Sequence, residues 1–239
     1  MYKKHCKNLR ELENAIKLIQ RDLRRYISTE QISNEYSYTK ILSYLVTCWA
    51  EVRILKVAFE QNAYNEKEIS KILNASTLED KWITALNISF CKAHRIRYTN
   101  NCDVIESKLP FTDSSRYSAL LSLIKNDLVE SIEVRNRIAH GQWLFAFTND
   151  LKNFSQELTT KLRVENIVKL QLKMNLFKNL AKLIHDLAVS PETFIRDFDD
   201  NYKKIEQQKK NLHKRDYNKY KQQMILKYQR GLTKRRNEE

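Results

Sequence analysis

Asp113-Ser-Ser-Arg-Tyr-Ser-Ala-Leu-Leu-Ser-Leu-Ile-Lys-Asn-Asp-Leu-Val-Glu-Ser-Ile-Glu-Val-Arg-Asn-Arg-Ile-Ala-His-Gly-Gln-Trp143 is a run of 31 residues with a single glycine and no proline. Leu120, Leu121, Ile124, Leu128 and Ile132 recur at helical spacing, so a long amphipathic helix is expected, capped by Asp113 or Ser114 and ending at His140. Gly141 is one of only two glycines in 239 residues. Just after a helical run, it suits the left-handed residue that closes a helix C-terminus. His140 is then expected in the last turn, at the negative end of the helix dipole. Asn136 lies four residues before His140 and shares its face, and the long Arg135 side chain reaches the same end. A guanidinium, an amide and an imidazole together on a basic chain suggest a phosphate site.

Residues 5–27 read as a helix with Leu9, Leu12, Ile16, Ile19 and Leu23 on one face, and residues 37–62 as a second. Asn65 can cap a short helix through Leu73, and Ser76-Thr77-Leu78-Glu79 reads as a capping box opening a helix to about Arg97. The polar stretch 98–112 reads as a loop. Beyond Gly141, the run Trp143-Leu-Phe-Ala-Phe-Thr148 is expected to form one arm of a small β-hairpin, its second arm near residues 155–163. A helix from about Asn166 to Ala188 follows, then Ser190-Pro191-Glu192 as an N-cap with proline in the first turn. Two glycines and two prolines leave little besides helices. The expected fold class is therefore all-α, with residues 1–200 as a helical domain and 201–239 as a basic helical extension.

The net charge of +14 calls for an acidic partner, nucleic acid being the commonest. General solubility is the bland alternative. Residues 201–239 hold thirteen lysines and arginines against four acidic residues, a net +9. Lys203, Lys204, Lys209, Lys210, Lys214, Arg215, Lys219 and Lys221, interleaved with Tyr202, Tyr217, Tyr220 and Tyr228, suit phosphate contacts and base stacking. The same segment also reads as a solvated helix, or as a clasp between subunits through Ile205, Leu212, Met224 and Leu232. No apolar run approaches the roughly 18–20 residues that cross a bilayer, and the first residues lack a signal-peptide core, so a cytoplasmic protein without membrane contact is expected. Cys6, Cys48, Cys91 and Cys102 lie far apart, with no CxxC and no zinc-ligand spacing, so neither a metal nor a disulfide framework is expected.

Arg135-Asn136-x-x-x-His140 resembles the signature of the HEPN superfamily, an arginine followed after four to six residues by a histidine, late in a helix of an α-helical bundle. The resemblance covers roughly residues 36–190, and the run through Trp143 looks most like abortive-infection members. It implies a HEPN-like bundle, metal-independent RNA cleavage, and a site composed across a homodimer. It also leaves room for a restraining RNA or protein antitoxin. In members silenced by a partner nucleotidyltransferase a tyrosine follows the histidine by two; here that position is Gln142, which puts that control in doubt.

The residues fit the chemistry by themselves. RNA supplies its own nucleophile, the 2′-hydroxyl, so a site must move protons and stabilise charge at phosphorus. Imidazole serves as base or acid near neutral pH, and guanidinium matches phosphate oxygens and keeps its charge. Asn136 can orient the imidazole or bind the phosphate. No cofactor is needed. Glu51, on an otherwise apolar helix, could orient Arg135 or Arg137, though an ordinary salt bridge is the plainer role. Glu133 and Arg137, four apart, read as a helix pair. His94 and His185 read as structural, and Trp143 and Phe147 as core before base-stacking. Two functions remain open: a ribonuclease acting as a toxin or abortive-infection effector, and a non-catalytic RNA-binding or scaffold protein.

Overall fold

A computed structural model describes residues 1–238 and shows an all-α protein. Helix α1 (Tyr2–Ser28) buries Leu9, Ile16, Leu23 and Ile27 at intervals of seven, seven and four, a narrow stripe on an otherwise polar rod. Its partner α2 (Ile32–Ala58) is buried on several sides, with Leu42, Val46, Trp49, Ala50 and Ile54 in the core. The two form a helical hairpin whose turn uses Glu30 at φ 56°. Asn65 caps α3 (Glu66–Leu73) in a reciprocal box with Glu68. Then α4 (Leu78–Ala93) begins on Thr77, paired with Asp80.

That box lies one residue later than the Ser76–Glu79 pairing expected, and α4 ends before Arg97. Arg95 is left-handed (φ 55°) and the Ile96 N–H donates to the Cys91 carbonyl at 2.8 Å, closing the helix. The stretch expected to be loop contains α5 (Cys102–Glu106), where the Asn101 side chain accepts from the Asp103 and Val104 N–H groups.

The decisive stretch is one continuous rod of three pieces. Helix α6 (Phe111–Ser122) starts on Pro110 rather than Asp113 or Ser114. A π-helical segment, Leu123–Leu128, follows, and α7 (Val129–Ala139) completes the rod. After the loop 140–155 come α8 (Gln156–Arg163) and α9 (Ile167–Val189), the most apolar helix of the core. Ser190 caps α10 (Pro191–Lys214), with proline in the first turn as expected. The last helix, α11 (Tyr217–Arg236), has no buried residue and lies against α1.

The β-hairpin does not form. Its second arm is α8: the Ser155 hydroxyl accepts the Leu158 N–H at 3.3 Å, and Leu158 and Leu162, four apart, turn one helical face inward. Only Phe147 and Phe154 remain to pair, in a single antiparallel bridge. Local capping and helical periodicity outweigh the short aromatic run.

The main core is built from α2, α4 and α9, with α1, α6, α7 and α10 around them. A second, small apolar cluster of Val134, Ile138, Ala146 and Leu162 lies under the loop 140–155 and fixes it to α7 and α8. Two buried lysines fasten α8 and the turn that follows it. Lys40 of α2 donates to the Leu162 carbonyl, and Lys173 of α9 binds Glu165 at 2.6 Å and Glu130 at 2.9 Å. Burial alone would lower the Lys173 amine, but the two carboxylates outweigh it and raise it above its ordinary value. The extension begins inside this frame: α10 passes residue 200 unbroken and buries Asn201 and Ile205.

Candidate functional site at the end of the seventh helix

Helix α7 ends as its sequence implies. His140 is the C-cap residue and Gly141 is left-handed at φ 76°. The Gln142 N–H donates to the Arg137 carbonyl at 2.9 Å and the Gly141 N–H to the Ile138 carbonyl at 3.1 Å, the paired bonds of a Schellman closure. The Trp143 indole N–H also donates to the Ile138 carbonyl at 3.1 Å, and the Tyr36 hydroxyl donates to the Trp143 carbonyl. With these backbone groups satisfied from within, the exposed His140 side chain projects from a fixed end.

An open cleft of about 1500 Å³ lies beside this end. Glu133, Asn136, Arg137 and His140, one face of α7, form one wall. Gly141, Trp143, Phe145 and Phe147 of the following loop form another, and Thr77 and Glu79 of α4 close the side. Arg137 donates to the Asn149 side chain at 2.6 Å, which ties the loop to the helix, while its Nε has no protein partner.

The structure thus brings Asn136, Arg137 and His140 together and sets Arg135 apart. Arg135 is one residue round the helix, outside the cleft wall, and donates to Glu51 of α2 at 3.2 Å. Glu51 therefore meets Arg135 and not Arg137. The expected Glu133–Arg137 pair is absent; Glu133 binds Lys161 at 3.1 Å, because α8 brings that amine to the face of α7. Trp143 packs on the small apolar cluster, Phe147 is half-exposed at the cleft, and His185 and His94 lie elsewhere, their Nε2 atoms 3.4 Å from a Glu60 oxygen and 3.5 Å from an Asp113 oxygen.

Glu79 was not singled out in the sequence, where it passes for half of a capping box. Because Asp80 does the capping, Glu79 is free to face the cleft. Burial pushes its carboxyl above the usual range, reinforced by Asp80 and Glu133.

The basic extension divides. Lys209 pairs with Asp127 at 3.2 Å and Lys221 with Glu35 at 2.7 Å, so these two fasten α10 and α11 to the bundle. Lys204, Lys210, Lys214, Arg215 and Lys219 are exposed, and Lys203 is exposed beside Asp200. Ile205, Leu212 and Met224 pack on this chain's own core, and Leu232 is exposed. All four cysteines are free. Among the described residues no group of three or more His, Cys, Asp or Glu is arranged to hold a metal ion, and no helix is long and apolar enough to cross a membrane. No family model, no curated protein and no solved structure matches the chain.

Proposed function

We propose that this chain is a HEPN-type, metal-independent endoribonuclease of the abortive-infection or toxin kind. The observation that carries the reading is the exposed His140 at a rigid helix end, sharing one open cleft with Asn136 and Arg137. In this reading His140 exchanges the proton with the 2′-hydroxyl or the leaving 5′-oxygen, and Asn136 hydrogen-bonds the phosphate. Arg137 opposes the charge developing at phosphorus from within the cleft. The products are a 2′,3′-cyclic phosphate and a 5′-hydroxyl. Arg135 joins by exchanging Glu51 for a phosphate oxygen. The Glu51 side chain is 41% exposed, and such a pair contributes only about 0–1 kcal/mol.

One imidazole does not easily act as both acid and base. A homodimer that sets two α7 ends across one groove supplies the second, and the exposed lysines of α10 and α11 add affinity for RNA. An RNA or protein antitoxin fits the same reading as a restraint on the activity.

The test is a gel of total RNA, then of purified substrate with and without EDTA, for wild type, His140→Ala and Arg135→Ala. Both variants are expected to lose cleavage with helix content intact, and wild type to cut in EDTA. Unchanged cleavage by either variant overturns the assignment. The Arg135–Glu51 pair supports a second reading, a non-catalytic RNA-binding or scaffold protein in which Arg135 only braces α7 against α2. That reading expects no cleavage by wild type and a lowered melting temperature for Arg135→Ala.

A further inference from the structure

The loop after α7 leaves Leu144, Phe145, Phe147, Leu151 and Phe154 between 38% and 65% exposed. Large apolar groups crowded at one place on a charged surface mark a contact site. This loop is held rather than loose. The Phe147 N–H donates to the Gln142 side chain at 2.9 Å, Ala146 is fully buried, and Asn149 is fastened to Arg137. Phe145 meets Phe154 edge to face at 6.0 Å, and the Arg163 guanidinium lies 5.3 Å from the Phe145 ring centre. Phe145 and Phe147 are walls of the same cleft that holds His140.

We propose that Phe145 and Phe147 form a stacking subsite for an unpaired nucleobase, next to the phosphate bound by Asn136, Arg137 and His140, with Arg163 on a neighbouring phosphate. This rests on the ribonuclease reading and names its substrate class, single-stranded RNA. A strand alternates flat apolar bases with anionic phosphates, and here phenyl rings and guanidinium groups lie together, Arg163 against Phe145 and Arg137 in the cleft with Phe147. Paired bases keep their faces inside the duplex and cannot use such a platform. An apolar protein face would bury Arg137 and Arg163 without counter-charge, which is costly.

The probe is a labelled, uncleavable 2′-O-methyl strand of mixed sequence, compared with the same strand carrying abasic positions and with its duplex, by fluorescence anisotropy at two salt concentrations. Phe145→Ala and Phe147→Ala are each expected to weaken binding about 5- to 150-fold, the range of one base–aromatic stack. Phe145→Tyr is expected to bind as wild type, and the abasic strand to bind wild type as weakly as the intact strand binds the alanine variants. The salt slope is expected to stay the same, since no phosphate contact is removed. Equal affinities for wild type and both alanine variants, with RNA cleavage retained, overturn the subsite and leave the ribonuclease reading standing. Strand binding unchanged while a dimer dissociates in Phe145→Ala assigns the patch to a second copy of the chain and overturns it as well. Failure of wild type to bind any strand removes the subsite together with the reading beneath it.

Discussion

Two single residues carry consequences that can be measured apart from any activity. Burial drops the Lys40 amine from 10.5 to about 8. Between those two values the unfolded chain binds more protons than the folded one, so this group makes stability rise with pH through that window. Below about pH 8 the cost of its buried charge is fully present. Urea unfolding at about pH 7.5 and about pH 10 is expected to show wild type gaining stability relative to Lys40→Met, whatever the offset between them. A constant difference would mean that the amine keeps its proton throughout. Gly141→Ala is a test of backbone alone, because a Cβ there meets nothing within 4 Å and only the left-handed φ of 76° opposes it. A loss of about 1 kcal/mol in denaturant unfolding is expected, and no loss would show that the helix end relaxes. The glycine was legible from its scarcity, as were Asn136 and His140 from their spacing. The partner of Arg135 was only a candidate, because Glu51 lies 84 residues away and nothing local reports such a contact.

At the scale of elements, amphipathic stripes and side-chain caps were readable, and what crossed between elements was not. The caps at Asn65 and Ser190 stand where the sequence puts them. Thr77 displaces Ser76 by one residue because either hydroxyl could cap and both Glu79 and Asp80 were available to answer it. The hairpin expectation failed because Ser155 opens a helix whose apolar face finds the small cluster under α7, information held in the tertiary structure. The π-helical segment left no sequence signal that periodicity detects. It holds an extra residue in the turn ahead of α7, and one residue of helix is worth about 100° of rotation. The wide turn absorbs that residue, so deleting the exposed Asn126 is expected to restore an ordinary α-helix with the Asn136–His140 face still at the cleft. Helix content by circular dichroism and RNA cleavage should then both stay close to wild type. Loss of cleavage with helix content kept would show that the π turn itself aims the site.

In the whole molecule, the last helix lies on the first. Helix α1 carries Lys3, Lys4, Lys7, Arg10, Lys17, Arg21, Arg24 and Arg25 against Glu11, Glu13 and Asp22, and α11 carries seven basic side chains and no acidic one. Two like-charged rods are held together by Tyr217 and Lys221, both bound to Glu35 of α2, and by Tyr217, Tyr220 and Met224 at the edge of the core. With no buried residue of its own, α11 is expected to open before the rest of the bundle, visible as early amide exchange. Removing it should weaken RNA binding and flatten its salt dependence while leaving cleavage intact at saturating RNA, since its positive charge lies outside the cleft. Ionic strength then acts on this pair of helices with opposite signs. Added salt screens their mutual repulsion and should slow amide exchange in α11, yet the same salt should loosen any polyanion they hold. A polyanion lying across both does what salt does for the pair. A bound nucleic acid would therefore act as a counter-ion for the protein's own architecture, and the tail would be most firmly closed when the molecule is occupied.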